Sequence, residues 1–365
     1  MQIDRRLVVS FDWPLFVLSV ALALLGIVTI YSATCSANEE CSRYLATKQS
    51  YWLVIGLCCM VVAFSVDYQR LNRWAYPIYG AVVLLLGLVL LIGITSGGSQ
   101  RWLDLRFFAF QPSELAKLVL VLVLAKTLCY YEPGYSLTAL GVPLMLCAPV
   151  LLLVLLQPDL GTAVLIFLIA MAVVVMSGLR VRSLVYFTVA AIAALPVGWQ
   201  FLKPYQKTRI WTFMNPESDP LGAGYHVVQS KIAIGSGRLW GTGYLQGSQN
   251  RLEFLPEQHT DFIFAVFAEE WGFSGCVVLL AAYTLLILLA LRVVRRAQDR
   301  FGVLLAAGIA AMLFWQFSIN IGMVTGLLPV VGIPLPLISY GGSSMVTTML
   351  ALGLLVNVSM RRNTR

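Results

Sequence analysis

Long apolar runs separated by short polar interruptions set the pattern of this chain. A helix that crosses a bilayer needs about 20 consecutive, mostly apolar residues. Windows of that kind lie at 13–33, 50–66, 75–94, 112–130, 138–156, 160–177, 183–202, 262–291, 302–327 and 343–360. They predict an all-α polytopic membrane fold of about ten helices. The fifth and sixth windows, parted only by Gln157, Pro158 and Asp159, can equally form one broken unit. The eighth is long enough to tilt or to project beyond the bilayer.

One polar stretch, 203–261, is too long to be an ordinary connection and lies directly before the eighth window. Trp211, Phe213, Tyr225, Trp240, Tyr244 and Phe254 give it apolar surface to bury, and Gly235, Gly237, Gly241, Gly243 and Gly247 permit tight turns. Short helical and irregular pieces, packed back on the membrane face, are expected there.

Charge fixes an orientation for these spans. Lys and Arg gather in the cytoplasmic loops of membrane proteins. In a ten-span arrangement Arg5, Arg6, Arg70, Arg73, Arg180, Arg182, Arg292, Arg295, Arg296, Arg300, Arg361, Arg362 and Arg365 all fall on one side. Both termini are then cytoplasmic, and the segments near 34–49, 95–111, 157–159, 203–261 and 328–342 lie outside. Losing one span would scramble that alternation.

Composition agrees with the pattern. Of 365 residues, 59% are hydrophobic and only 12% charged, which no soluble core needs. We expect one integral domain, 1–365, without a separate soluble part. The first run has no small-residue cleavage pattern and is expected to stay as the first span. The net charge of +8 does not imply nucleic acid, because the basic residues are spread between spans and form no polar face. Cys58, Cys59, Cys129, Cys147 and Cys276 sit in apolar segments, as small buried hydrophobes do. Cys35 and Cys41 share a polar loop on the outer side, where a disulfide or two free thiols are both compatible with the sequence.

Charged groups beside or within spans are costly and therefore informative. Glu114 and Lys117, three residues apart after Gln111 and Pro112, share one helix face. They read either as a structural ion pair or as a pair that offers Lys117 to a phosphate. Asp159 stands where a helix cap is expected. Arg101 and Trp102 suit an interfacial anchor or a phosphate contact. Asp261 begins the eighth window, with Glu257 and His259 close by, and three titratable groups exceed what capping requires. A helix-end aspartate ionised at neutral pH suits a base that accepts a proton from a sugar hydroxyl. Glu269 and Glu270, further along the helix, read as buried structural acids. The only histidines, His226 and His259, are not at metal-ligand spacing, and no Walker loop, nucleophile elbow or Cys-X-X-Cys occurs. The residues alone describe a polytopic protein with an outward polar site rich in acid and base.

The blocks QPSELAK (111–117), QPDLGTA (157–163), LPEQHTDFIFAVFAEEWG (255–272) and PLISYGGSS (336–344) resemble, in order, those of the SEDS family of bacterial cell-wall polymerases. The wording of the third is closer to the elongation branch than to the division branch. The resemblance implies a peptidoglycan glycosyltransferase of the bacterial cytoplasmic (inner) membrane that polymerises lipid II and undecaprenyl-pyrophosphate-linked glycan on the outer face. It makes Asp261 the catalytic residue and Glu114 and Lys117 lining residues of a central cavity. Arg101, Asp159, Arg209, Glu257 and Ser343 match family blocks, and His259 lies within one. The implied partners are a class B penicillin-binding protein, supplying the transpeptidase, and other membrane proteins of the elongation complex. No cofactor is required by these residues, although pyrophosphate commonly travels with a divalent cation such as Mg or Mn. A lipid II transporter is the alternative, marked by inverted repeats, broken helices and a site at mid-membrane. A non-catalytic scaffold for a penicillin-binding protein is a third reading.

Overall fold

The structure is a computed structural model, and it describes residues 10–34, 42–96, 99–104, 109–135, 137–201, 204–215, 223–247 and 258–361. Cys35, Cys41 and Glu257 lie outside the described residues, as does the side chain of Arg209. Each apolar window holds a helix. In chain order these are α1 (Trp13–Ala33), α2 (Arg43–Ser65), α3 (Tyr68–Ile92), α4 (Pro112–Leu128), α5 (Gly141–Leu156), α6 (Leu160–Met176) and α7 (Val181–Phe201). Two short helices follow in the long polar stretch, α8 (Pro204–Met214) and α9 (Ala223–Ser236), then α10 (Ile263–Arg296), α11 (Arg300–Val324) and α12 (Gly342–Met360). Among the described residues six helices, α1, α2, α3, α10, α11 and α12, are long and apolar enough to cross a membrane.

The helix ends follow ordinary chemistry. Asp67, Asp159 and Asp299 accept hydrogen bonds from the first-turn N–H groups of α3, α6 and α11. Pro112 opens α4, where its missing N–H costs nothing. Asp159 also separates α5 from α6, so these two windows form distinct, mutually packed helices.

At the centre stands α4, buried on every side except at Leu115 and Lys126. It packs against α3, α5, α6, α11 and α12, which is why its apolar residues show no polar face. Close approach is achieved through small residues. A Cβ at Gly353 of α12 would stand 2.7 Å from the Met60 carbonyl of α2, and one at Gly308 of α11 would strike Val121 of α4.

The structure departs from the expected fold in two ways. The all-α reading misses a three-stranded antiparallel sheet, β1 (Ile94–Ser96), β2 (Ser99–Asp104) and β3 (Ala109–Phe110). Its alternating positions, with Leu103 buried and Asp104 exposed, cover too few residues to register beside runs of twenty. Secondly, α10 is not one continuous rod, because Gly272 has φ 63° and ψ −165° and breaks the helix. The turn at 237–243 is interlocked with this break. Thr242 N and Gly243 N donate to the freed carbonyls of Glu269 (2.9 Å) and Glu270 (3.1 Å), and Phe273 N and Ser274 N donate to Arg238 and Leu239 (2.8 and 3.0 Å). Every group released by the kink at these positions thus finds a partner, as a buried break requires.

Gly272→Ala should be strongly destabilising, since this backbone region is open essentially to glycine at a cost of roughly 1–3 kcal/mol for other residues, and a Cβ there would collide with Gly241. Gly80→Ala on α3, where nothing lies within 4 Å, should be neutral or mildly stabilising. Thermal unfolding of the two purified variants reads the difference, and equal melting temperatures would contradict the interlock.

Candidate active site

Residues 258–262 form turns, and α10 begins at Ile263 with Phe262 at its N-cap. Asp261 therefore precedes the helix and does not sit in its first turn; the early helix start that would align Glu257 with it does not occur. What holds the turn is a row of three carbonyls, each accepting a hydrogen bond from elsewhere. Tyr340 N donates to His259 O (2.9 Å), Ser339 Oγ to Thr260 O (2.6 Å), and Asn320 Nδ2 to Asp261 O (2.9 Å). The Asp261 carboxylate lies against Gly332, where an added Cβ would stand 3.2 Å from Oδ2. Gly332 also has φ +71°, a second reason for glycine. Asp261 and His259 remain partly exposed, and the His259 ring meets Tyr340 edge-on at 5.9 Å. Burial pushes the Tyr340 phenol above its ordinary value, with Lys48 pulling it partly back.

On α4, Lys117 Nζ contacts Glu114 Oε1 at 2.7 Å, with the two side chains only 1% and 5% exposed. The ion pair of the sequence reading is formed, and it is fully enclosed. Lys117 is consequently not an open cation in this arrangement. Glu114 Oε2 and the neighbouring Ser113 Oγ are buried without a hydrogen-bond partner. The residue before the helix, Gln111, donates its N–H to Ser343 Oγ of α12 at 3.0 Å, tying two helix N-termini together.

Asp159 performs the cap, accepting from Thr162 N (3.1 Å) and Thr162 Oγ1 (2.8 Å). It also pairs with Arg101 of β2 at 3.4 Å. Arg101 retains 19% side-chain exposure, and its Nε is buried with no hydrogen-bond partner. Capping and charge pairing are thus combined in one carboxylate.

These groups gather around the non-helical segment 325–341. Gly161 of α6 approaches it so closely that a Cβ would lie 2.5 Å from Val331 O, one residue from the Gly332 that backs Asp261. Ser343 follows the segment with only Gly342 between. The segment accordingly joins the start of α6, the Asp261 turn and the paired starts of α4 and α12. Arg209 stands on α8, apart from this description. Asn320, Ser339, Gln49 and Tyr283, which anchor the segment, do not stand out in the sequence because they carry no charge. Their signal was the neutral amide or hydroxyl inside or beside an apolar run. Among the described residues no group of three or more His, Cys, Asp or Glu could hold a metal ion.

Because the Glu114–Lys117 pair is enclosed, Lys117→Met should cost about 3–5 kcal/mol by stranding a buried carboxylate, and the double change with Glu114→Leu should recover most of the loss. Chemical or thermal unfolding measures both. A single variant as stable as the parent would show that the pair is not a buried one.

A family model described as cell cycle protein, FtsW/RodA/SpoVE, matches residues 12–364. The peptidoglycan glycosyltransferase MrdB of Escherichia coli K12 is 43% identical over 355 residues, covering 97% of this chain and 95% of that protein. The peptidoglycan glycosyltransferase RodA of Treponema pallidum is 32% identical over 429 residues, 98% of this chain and 99% of its own. Among solved structures, a chain from a peptidoglycan synthase complex that coordinates polymerisation and crosslinking superposes with TM-score 0.84 at 36% identity, covering 97% of this chain and 99% of that one. The rod shape determining protein RodA of Thermus thermophilus gives 0.73 at 34% identity, covering 97% and 98%. With its blocks, its helical architecture and residues 12–364 matched, this chain belongs to the SEDS (FtsW/RodA/SpoVE) family.

Proposed function

We propose that the chain is a peptidoglycan glycosyltransferase of the elongation type, polymerising lipid II, with Asp261 as the general base. One observation carries the base assignment. Asp261 is partly exposed, yet its backbone is held in place by a buried polar scaffold at the mouth of an apolar helix. A carboxylate so placed can take the proton of an incoming hydroxyl without itself being buried.

In this reading Asp261 removes the proton from the 4-hydroxyl of an acceptor lipid II. The hydroxyl oxygen forms a bond to the anomeric carbon of the growing chain with inversion, and the carbon–oxygen bond to the lipid pyrophosphate breaks. The departing pyrophosphate needs positive charge, which we assign to Arg101 and Arg209, with a divalent cation such as Mg or Mn as a companion of the pyrophosphate. The enclosed Glu114–Lys117 pair supports the start of α4 beneath the site, and Asp159 orients Arg101. Glu257, His259 and Ser343 complete the surroundings of substrate.

The arginine alternation supports ten crossings of the bacterial cytoplasmic membrane, both termini inside, and the site with its 203–261 segment outside, in one domain spanning 1–365. Likeness to a chain of a synthase complex that couples polymerisation to crosslinking supports a class B penicillin-binding protein as partner, along with other elongation proteins. The break in α10 is the feature closest to the transporter alternative, but at Glu269 and Glu270 its freed carbonyls are occupied by the 237–243 turn.

In detergent, where there is no bilayer to cross, the purified protein should form glycan from lipid II. Asp261→Asn should lower that rate by about 10²–10⁴-fold, the range for loss of a general base, with unfolding unchanged. Folded Asp261→Asn polymerising at the parental rate would refute the base assignment, and glycan-free protein that moves lipid II across vesicles would favour the transporter.

A further inference from the structure

Asn320 of α11 is completely buried, and its single amide nitrogen serves two chain segments. Nδ2 donates to Asp261 O at 2.9 Å and to Ile333 O at 2.8 Å. Those carbonyls belong to the turn before α10 and to the segment between α11 and α12, neither of which is helical. Both hydrogens of the amide are thereby used, and the separation of the two segments is set by one rigid planar group.

The second contact between the same segments involves the carboxylate. Gly332, adjacent to Ile333, lies against Asp261 Oδ2. Asn320, Asp261 and the Gly332–Ile333 backbone therefore close a small ring of contacts, in which the main chain of Asp261 is fixed on one side and its side chain is backed on the other. A shift of either segment moves the carboxylate relative to whatever stands in front of it.

Stability alone does not account for every atom of this residue. Asn320 Oδ1 is buried with no hydrogen-bond partner, a cost that an apolar side chain of the same size would not incur at that atom. The two donors of Asn320 instead meet carbonyls that an apolar side chain would leave unpaired, and one of them is the main chain of the reactive carboxylate, so the residue fixes geometry as well as satisfying hydrogen bonds.

We propose that Asn320 is a positioning residue for Asp261, setting the reach of its carboxylate toward the acceptor hydroxyl through the shared carbonyls of Asp261 and Ile333. This rests on the assignment of Asp261 as the base. Displacing a reacting group by about 1 Å costs on the order of 10²-fold in rate. Asn320→Leu keeps the branched shape and heavy-atom count of the side chain, though not its volume, and removes both donors. It should lower kcat for glycan formation by about 10- to 100-fold while KM for lipid II stays within about threefold, since nothing that contacts substrate has been removed.

The experiment measures kcat, KM and thermal unfolding for purified full-length parent, Asn320→Leu, Ser339→Ala and Asp261→Asn. Ser339→Ala deletes the neighbouring grip on Thr260 O and should show the same kcat-only signature in smaller degree, so the idea survives testing if Asn320→Leu fails to fold. Parental kcat in folded Asn320→Leu, or in folded Ser339→Ala where the former is unfolded, overturns the inference. So does a raised KM at constant kcat, or an activity loss that only tracks the folded fraction. If Asp261→Asn is itself fully active, the base assignment falls, and a kcat loss at Asn320 then has another origin.

Discussion

Backbone that is neither helix nor strand cannot be left unpaired inside an apolar protein, and this requirement organises the molecule. The segment 325–341 and the turn at 258–262 are where it presses hardest. Their polar groups are met by side chains from three different helices. Gln49 of α2 spans Tyr340, donating to Ser339 O at 3.2 Å and accepting from Gly341 N at 3.3 Å. Tyr283 of α10 donates to Pro336 O, and Asn320 of α11 supplies Ile333 and Asp261. Within the segment, Ser339 Oγ accepts from Leu335 N at 2.8 Å while donating to Thr260 O. Helix α1 contributes space, since a Cβ at Gly26 would stand 2.7 Å from Leu337 O. The candidate base is one member of this network, which explains why it can be partly exposed and yet fixed.

The same rule accounts for the broken α10. A kink that exposed the carbonyls of Glu269 and Glu270 would be costly alone, and the 237–243 turn takes them up. Glu270 then ties this region to α1 and to the polar stretch, accepting from Ser32 Oγ and from Leu245 N at 3.2 Å. The long polar stretch is thus fastened into the helical body at the break, with α9 packed on α10 and α11.

How far all this could be seen in the sequence depends on the physics of each feature. Helices forced by twenty-residue apolar runs were legible, as were the cap at Asp159 and the Glu114–Lys117 pair, because each is a local relation between neighbours. The break at Gly272 was hidden, since Trp271 and Phe273 keep the hydropathy continuous and only a distant turn makes the kink affordable. The β2 strand was too short to stand out. Glu269 and Glu270 were expected to be buried and are, at 0% and 2% exposure. Asp261 was legible as a candidate, but its precise station before the helix depends on Asn320, Ser339 and Tyr340, which lie far along the chain. Neutral polar residues within apolar runs, easily passed over beside charges, carry most of the long-range information.

The clasp by Gln49 has a consequence for the order of assembly. Its partner Gly341 lies 292 positions later, and Ser343, which receives the Gln111 amide, is later still. As the chain emerges from the ribosome and enters the membrane, α2 and α4 must therefore wait with these polar groups unmatched until residues 339–343 arrive. Loop-closing contacts of such separation form late. Asp261 acquires its supports only once Asn320, Ser339 and Tyr340 have been made, so a nascent chain stalled before α11 holds the charged pairs of the site but not the scaffold of its turn.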